Sequence, residues 1–374
     1  MQFFPAVDPI PLPAPIWLLK LLHIVTLALH FVAVEMLLGG LLLAVLFSLF
    51  RGSRQSVVAA QAIARRLTTV MTFVINFGVP PLLFSQVLYG RALYTSSVLM
   101  GVYWIAIVPI LTLAYWLLYR FTARLNAGKT AWYVGLAALL LAGFVARLLS
   151  SNMTLMLRPE AWKPMYAASA AGIYLPTGDP TLTPRWLMML AGGLFLGSLW
   201  LVYLSARKTF APEQQKYMAG VGGKLAALFG IIYLFAGLWA QAVQPDVVKQ
   251  MLASPPAGYG FYHLYALAGY GWVALVIVGI LVAALAGFAK IASNWIAWPL
   301  AVLSLLVELT LVIYRDAVRD ITLLAKGYNV WDRVVVTNWS VVGLFLVLFV
   351  AGLGMLGWLI SVVARAKKPL EGAA

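Results

Sequence analysis

The chain has 374 residues, of which 63% are hydrophobic and 10% charged, so apolar positions outnumber charged ones about six to one, against roughly two to one in soluble domains. Apolar runs of twenty or more residues recur, the length that crosses about 30 Å of hydrocarbon at 1.5 Å per residue, and this excludes a water-soluble protein. Cysteine is absent, which excludes disulfides, thiolate zinc sites, iron–sulfur ligation, cysteine nucleophiles and covalent haem c attachment.

The formal net charge is +15. In a soluble domain that would point to nucleic acid. Here the basic residues sit mainly in short loops between apolar spans, where they orient the chain against a cytoplasmic face, and no nucleic-acid role follows.

In chain order, residues 1–15 form a leader without Lys or Arg that contains Pro11-Leu12-Pro13-Ala14-Pro15. It lacks the basic start and small-residue cleavage site of a signal peptide, and it is expected to stay on the protein as an extended extracytoplasmic segment. Nine apolar spans follow, at 16–50, 68–90, 97–120, 130–149, 185–206, 223–244, 264–289, 294–315 and 337–364. The expectation is an all-α integral membrane protein, a single transmembrane domain over 16–364, with a cytoplasmic tail at 365–374. An odd number of crossings puts the termini on opposite sides. With the N-terminus outside, the inner segments hold fifteen of the 26 basic residues: Arg51, Arg54, Arg65, Arg66, Arg120, Arg124, Lys129, Arg207, Lys208, Lys216, Lys224, Lys290, Arg365, Lys367 and Lys368. The outer segments hold ten, and Lys20 lies within the first span. That bias favours N-terminus outside and C-terminus cytoplasmic. The outer connections 150–184 and 316–338 are the long ones, suited either to docking an extrinsic partner or to covering helix ends.

An ionisable group at bilayer depth is costly, so each one calls for a purpose. The candidates are Lys20, His23, His30 and Glu35 in the first span, His263 entering the seventh, and Glu308 in the eighth. His23 and His30 are seven residues apart and share a helix face, about 10.5 Å apart along the axis. Imidazole ligates haem iron and hydrogen-bonds quinones, and both cofactors suit an apolar bundle. For His23 the alternative is an interhelical hydrogen bond; for His263 it is a place in an aromatic belt with Phe261, Tyr262 and Tyr265. His30, deeper and flanked by apolar residues, is the better ligand. If the first and seventh helices touch, His23 and His263 can serve one iron or one quinone. Lys20, one turn nearer the outside, can extend to the interface or to a haem propionate. Glu35 lies roughly 140° around the helix from His30 and is expected to address a different neighbour. Glu35 and Glu308 read as two isolated carboxylates, suited to carrying protons, pairing with a cation or remaining protonated.

The stretch from Leu22 to Gly39, with His30-Phe31-Val32-Ala33-Val34 at its centre, resembles the first helix of subunit I of the cytochrome bd quinol oxidases. Met71-Thr72-Phe73-Val74-Ile75-Asn76-Phe77-Gly78-Val79 resembles that family's second helix, and Ser151-Asn152-Met153, Gln244 to Lys249 and Phe261 to Gly271 add further points in the same order. The resemblance implies nine spans with the N-terminus outside, and it implies His30 as axial ligand of a b-type haem. It also marks departures. The fifth span opens Pro184-Arg185-Trp186 without the family's His, Leu267 stands where the family has a haem-ligating Met, and the third span has no carboxylate. Tyr314-Arg315-Asp316 retains only the Arg of the family's Gly-Arg-Gln-Pro-Trp region; Val312 stands at the ligand glutamate, and the 244–263 connection is too short for a quinol-binding domain. A complete oxygen-reducing oxidase is therefore not expected.

The resulting expectation is a membrane subunit of a respiratory complex in a bacterial or archaeal cytoplasmic membrane, surrounded by lipid and other membrane subunits. It would hold haem b through His30, with His23 or His263 as further candidates and Lys20 or Arg315 as cationic partners. Electrons would pass between a quinone pool and an extracytoplasmic c-type cytochrome. The rivals are a haem-free anchor for extrinsic redox subunits and, less favoured because no inverted repeat is visible, an ion-coupled transporter using Glu35 and Glu308.

Overall fold

The computed structural model describes residue 4 and residues 10–50, 52–258 and 261–365. Its long helices are α1 (Ile16–Leu49), α2 (Arg54–Leu99), α3 (Gly101–Asn126), α4 (Trp132–Leu155), α6 (Leu182–Ser205), α7 (Pro212–Ala242), α9 (Phe261–Ala289), α10 (Asn294–Leu324) and α11 (Trp339–Arg365). Among the described residues these nine are long and apolar enough to cross a membrane. Two short helices, α5 (Pro159–Ala168) and α8 (Asp246–Ala253), fill the connections that precede α6 and α9. The leader's residues 1–3 and 5–9 and the tail from 366 onward lie outside the described residues.

The second span differs most from expectation, because α2 starts fourteen residues before the apolar run at 68. Ser53 begins it, its hydroxyl accepting from the Ser56 amide at 3.2 Å, and an Ala-rich stretch buries Ala59, Ala60, Ile63, Ala64 and Leu67 against α1 and α3 while Arg65 and Arg66 stay on the other face. Such a helix is amphipathic rather than apolar, and average hydropathy passes over it. Further along, Pro80 and Pro81 lie inside α2, and Tyr89 leaves helical geometry at φ −123°, ψ 18°. Each proline removes a ladder hydrogen bond, and the helix bends.

Helix α1 is the centre of the bundle and packs against α2, α4, α6 and α10. Its crossing with α6 has no room for side chains, since a Cβ on Gly39 would fall 1.6 Å from the Gly193 carbonyl oxygen. Helices α7 and α9 cross in the same way, where a Cβ on Gly223 would lie 2.4 Å from the backbone of Ala283 and Gly287. Small residues at such crossings let backbones approach where no hydrophobic effect drives helices together. Helix α11 is largely exposed along its length and contributes Val342 to the core. The segment before it is tied to the leader by a parallel bridge, with Leu12 N–H on the Val334 carbonyl (2.8 Å) and Val336 N–H on the Leu12 carbonyl (2.9 Å).

Candidate functional site: a polar column between α1, α2 and α10

At the end of the bundle where α1 begins, here the upper end, α10 continues past the expected boundary at 315 to Leu324. Asp316, Arg319 and Asp320, placed by the apolar pattern in a loop, are therefore helical, and their i, i+3, i+4 spacing puts them on one face. That face meets Lys20. The Lys20 ammonium donates to Asp316 Oδ2 at 2.8 Å, Asp320 Oδ2 at 2.5 Å and Tyr89 Oη at 2.7 Å, with Lys20 3% exposed. Tyr89 Oη lies 3.0 Å from Asp316 Oδ1 and 2.8 Å from Asp320 Oδ1. Tyr262 donates to Asp320 Oδ2 at 2.7 Å and accepts from Trp331 Nε1 at 3.0 Å. Two cations, Lys20 and Arg319, balance two carboxylates. Lys20 thus does not reach the interface or a propionate, because burial inside the bundle is tolerable only with this full set of partners.

His23 belongs to the same network. Arg319 Nη1 lies 2.8 Å from His23 Nε2, and His23 Nδ1 lies 3.2 Å from the Pro81 carbonyl oxygen. A guanidinium only donates, so Nε2 accepts and the proton sits on Nδ1, which donates to Pro81. Both ring nitrogens are occupied, the interhelical hydrogen-bond role weighed for this residue. His263 is exposed at the start of α9, and His23 makes its contacts with α2 and α10 instead, so the two imidazoles are not brought to one site.

His30 is arranged differently. Its Nδ1 lies 3.1 Å from the Val74 carbonyl oxygen, and Nε2 has no partner among the described residues. The imidazole packs closely against α2 because residue 78 is glycine: a Cβ there would fall 2.9 Å from His30 Cε1. An Nδ1–H held by a backbone carbonyl fixes both tautomer and ring orientation and leaves the Nε2 lone pair available, which is how proteins prepare an imidazole to ligate a metal. Beside it, the Arg315 guanidinium stacks on Phe31 at 4.6 Å from the ring centroid and makes no ion pair or hydrogen bond among the described residues. A further cation is Arg147 on α4, whose Nη1 is buried without a partner. Its neighbour Ala146 packs against a cluster of Val34, Leu38 and Ala142 that Val74 also joins. A haem bound through His30 would find an oriented ligand, apolar residues of α1, α2 and α4, and the Arg315 guanidinium, stacked on the neighbouring Phe31, for a carboxylate. The donor set fits the group at His30 and not at His23.

Deeper in the bundle, Glu35 and Glu308 are not isolated. They lie close enough to interact, Tyr233 donates to Glu308 Oε1 at 3.2 Å, and the Oε2 atoms of both have no hydrogen-bond partner among the described residues. Helix α6 accommodates the pair through Gly192, where a Cβ would lie 2.7 Å from Glu35 Oε1. Among the described residues no cluster of three or more His, Asp or Glu side chains is arranged to hold a metal ion.

The structure of bd oxidase from Geobacillus thermodenitrificans superposes with a TM-score of 0.65 at 12% identity, covering 96% of this chain and 100% of that one. The fold is bd-oxidase-like. No family model matches the sequence, and no curated protein matches it. The likeness is therefore one of architecture: an all-helical membrane bundle with the same arrangement of spans.

Sequence reasoning missed Asp316, Arg319, Asp320, Tyr89 and Arg147. For the α10 group the signal was present, since Tyr314-x-Asp316-x-x-Arg319-Asp320 continues the helical period of the preceding span. For Tyr89 there was none, because its position depends on the bend in α2.

Proposed function

We propose that this protein is the membrane subunit of a respiratory electron-transfer complex of the bacterial or archaeal cytoplasmic membrane, binding haem b through His30. In this reading the upper end faces outward, and electrons pass between a quinone pool and an extracytoplasmic c-type cytochrome, with further membrane subunits alongside. The observation that carries it is the His30 imidazole, fixed through Nδ1 on Val74 with Nε2 unpartnered, in a bundle shaped like a bd oxidase. Bound haem supplies reversible one-electron chemistry. The chain's own part is to hold the ring at a set angle through the Val74 carbonyl, exclude water with α1, α2 and α4, and offer Arg315 and Arg147 to carboxylates. The Lys20–Asp316–Asp320–Arg319–His23 network is charge-balanced and saturated. It joins α1, α2 and α10 at the same end and holds the helices that carry His30 and Arg315.

The saturation of Lys20 and His23 favours one other reading, a haem-free anchor that keeps the scaffold and docks extrinsic redox subunits. A reduced-minus-oxidised absorption spectrum of the purified chain separates the two. The haem reading expects a b-type α-band that disappears in His30→Ala. An absent band in the wild-type protein, with the fold intact by circular dichroism, establishes the anchor instead.

A further inference from the structure

On the outer surface of a membrane bundle apolar residues need no explanation, because lipid covers them; polar residues within the apolar runs do. Helix α2 carries such residues on the face away from His30. Val74 and Gly78 turn toward the imidazole, and residue 76, about 200° from each around the helix, points the other way. Asn76 is exposed there, as are Thr72 and Thr69 one and two turns before it. It lies eight residues, about 12 Å, inside the apolar run 68–90. Asn76 Nδ2 donates to the Thr72 carbonyl at 2.8 Å, which uses one amide hydrogen and leaves the other, together with Oδ1, unpartnered among the described residues. Thr72 Oγ1 meets Tyr115 Oη of α3 at 2.7 Å, so the polar strip crosses the seam between α2 and α3, where Thr112 is exposed as well. An open amide donor and acceptor facing hydrocarbon are costly, since lipid tails satisfy neither.

Helix α11 borders the same face. Val342, Leu346 and Phe349 pack in the cluster that holds Leu82, Phe84 and Leu88 of α2. Beyond Phe349 that packing ends: Val350 to Met355 are exposed on every side of the helix, and a Cβ on Gly352 or Gly354 would meet nothing within 4 Å. Helix α11 runs away from the upper end and α2 runs toward it. Gly354, twelve residues past Val342, and Asn76, twelve residues before Leu88, therefore lie at one depth, about 18 Å below the shared cluster. At the level of Asn76, α11 has parted from its own bundle.

We infer that this face, Thr72 and Asn76 of α2 with Thr112 and Tyr115 of α3, docks a second copy of the chain about a two-fold axis along the membrane normal. Copies of one chain insert in one orientation, so residues of equal depth face each other across such an axis, and Asn76 meets Asn76 of the second copy. A carboxamide is complementary to itself, each donating its free N–H to the other's Oδ1. The exposed glycines of α11 let a neighbouring helix approach closely beside the seam. The inference holds with or without haem and does not rest on the function proposed above.

Because the chain contains no cysteine, one introduced thiol reports contact without background. Asn76→Cys in native membrane vesicles, oxidised with copper phenanthroline, is expected to give a reducible dimer. The control is Leu281→Cys, 65% exposed on α9 and eight residues from the inner end of its own apolar run, which should stay monomeric. Subunit counting by photobleaching of labelled full-length protein in liposomes reads the equilibrium. Asn76→Leu should move half-dimerisation to about five- to tenfold higher protein density, the scale of two interhelical hydrogen bonds, and Asn76→Gln, which keeps donor and acceptor, should move it less. Equal cross-linking at both positions, a wild-type chain that counts as monomer at every density, or a dimer indifferent to Asn76→Leu overturns the inference. So does capture of a different polypeptide by Asn76→Cys in place of a second copy. Should Asn76→Cys fail to accumulate, Thr72→Cys presents its thiol on the same face and is judged by the same result.

Discussion

Replacing Lys20 with Met removes the ammonium that contacts Asp316, Asp320 and Tyr89 at 2.8, 2.5 and 2.7 Å. Each charge-assisted contact is worth about 1.5–3 kcal/mol net, so the gross interaction is several kcal/mol, offset by the desolvation that Met avoids. What remains is the penalty for leaving a carboxylate pair with Arg319 as its one remaining cation, and breaking a buried ion pair from one side costs about 3–5 kcal/mol. Lys20→Met is therefore expected to destabilise by about that amount. Asp320→Asn alone leaves the opposite imbalance and is expected to be harmful too. The double variant Lys20→Met/Asp320→Asn retains Arg319 opposite Asp316, 3.5 Å apart, so it restores charge balance and recovers most of the loss. The assay is reversible unfolding in mixed detergent micelles, followed by tryptophan fluorescence and circular dichroism and arranged as a double-mutant cycle. A Lys20→Met protein within about 1 kcal/mol of wild type, or a double variant as unstable as the sum of the singles, refutes the account of the network as a charge-balanced unit.

Four further outcomes follow from the geometry. His23→Ala is expected to leave any b-type α-band in place while lowering stability by about 1–3 kcal/mol, because its ring nitrogens serve Arg319 and Pro81; loss of the band would transfer the ligand role to His23. Gly78→Val sets branched carbon where a Cβ alone falls 2.9 Å from the His30 ring, so haem content after purification should drop with helix content unchanged, and full retention would contradict the placement of His30. Gly39→Ala, with its Cβ 1.6 Å from the Gly193 oxygen, should force α1 and α6 apart, costing upwards of about 3 kcal/mol by the same unfolding assay. Glu35→Gln sets a neutral amide of the same shape beside Glu308, and a change under about 1.5 kcal/mol is expected; Glu35→Lys should prevent accumulation of folded protein.

The apolar spans were legible because their signal is averaged over some twenty residues, and the nine crossings follow from that alone. What averaging hides is the polar end of a helix. Arg54 to Leu67 and Asp316 to Leu324 continue α2 and α10 beyond the hydrocarbon-like run, and the second of these carries half of the ion network. His30 stood out in the sequence because an imidazole far inside an apolar span is rare, but its readiness to ligate depends on Val74 and Gly78, forty-odd residues away. Lys20, His23 and Glu35 were each singled out for the cost of burying them, and the structure meets that cost through partners on α10 that no local spacing could name. The pairing of Glu35 with Glu308 is of the same kind, since residues on the first and eighth crossings meet only after the intervening helices have set their order.

The separation of Lys20 from Asp316 by 296 positions also has a bearing on how the protein is made. At about 5–20 residues per second a ribosome needs roughly 15–60 s to travel from one to the other. Throughout that interval the nascent first helix bears a bare ammonium near the edge of the bilayer, and a long flexible side chain can keep that charge among the headgroups. Its final seating must await the arrival of the aspartates, so the helix at the heart of the finished bundle is made long before the partners it needs and is among the last to settle.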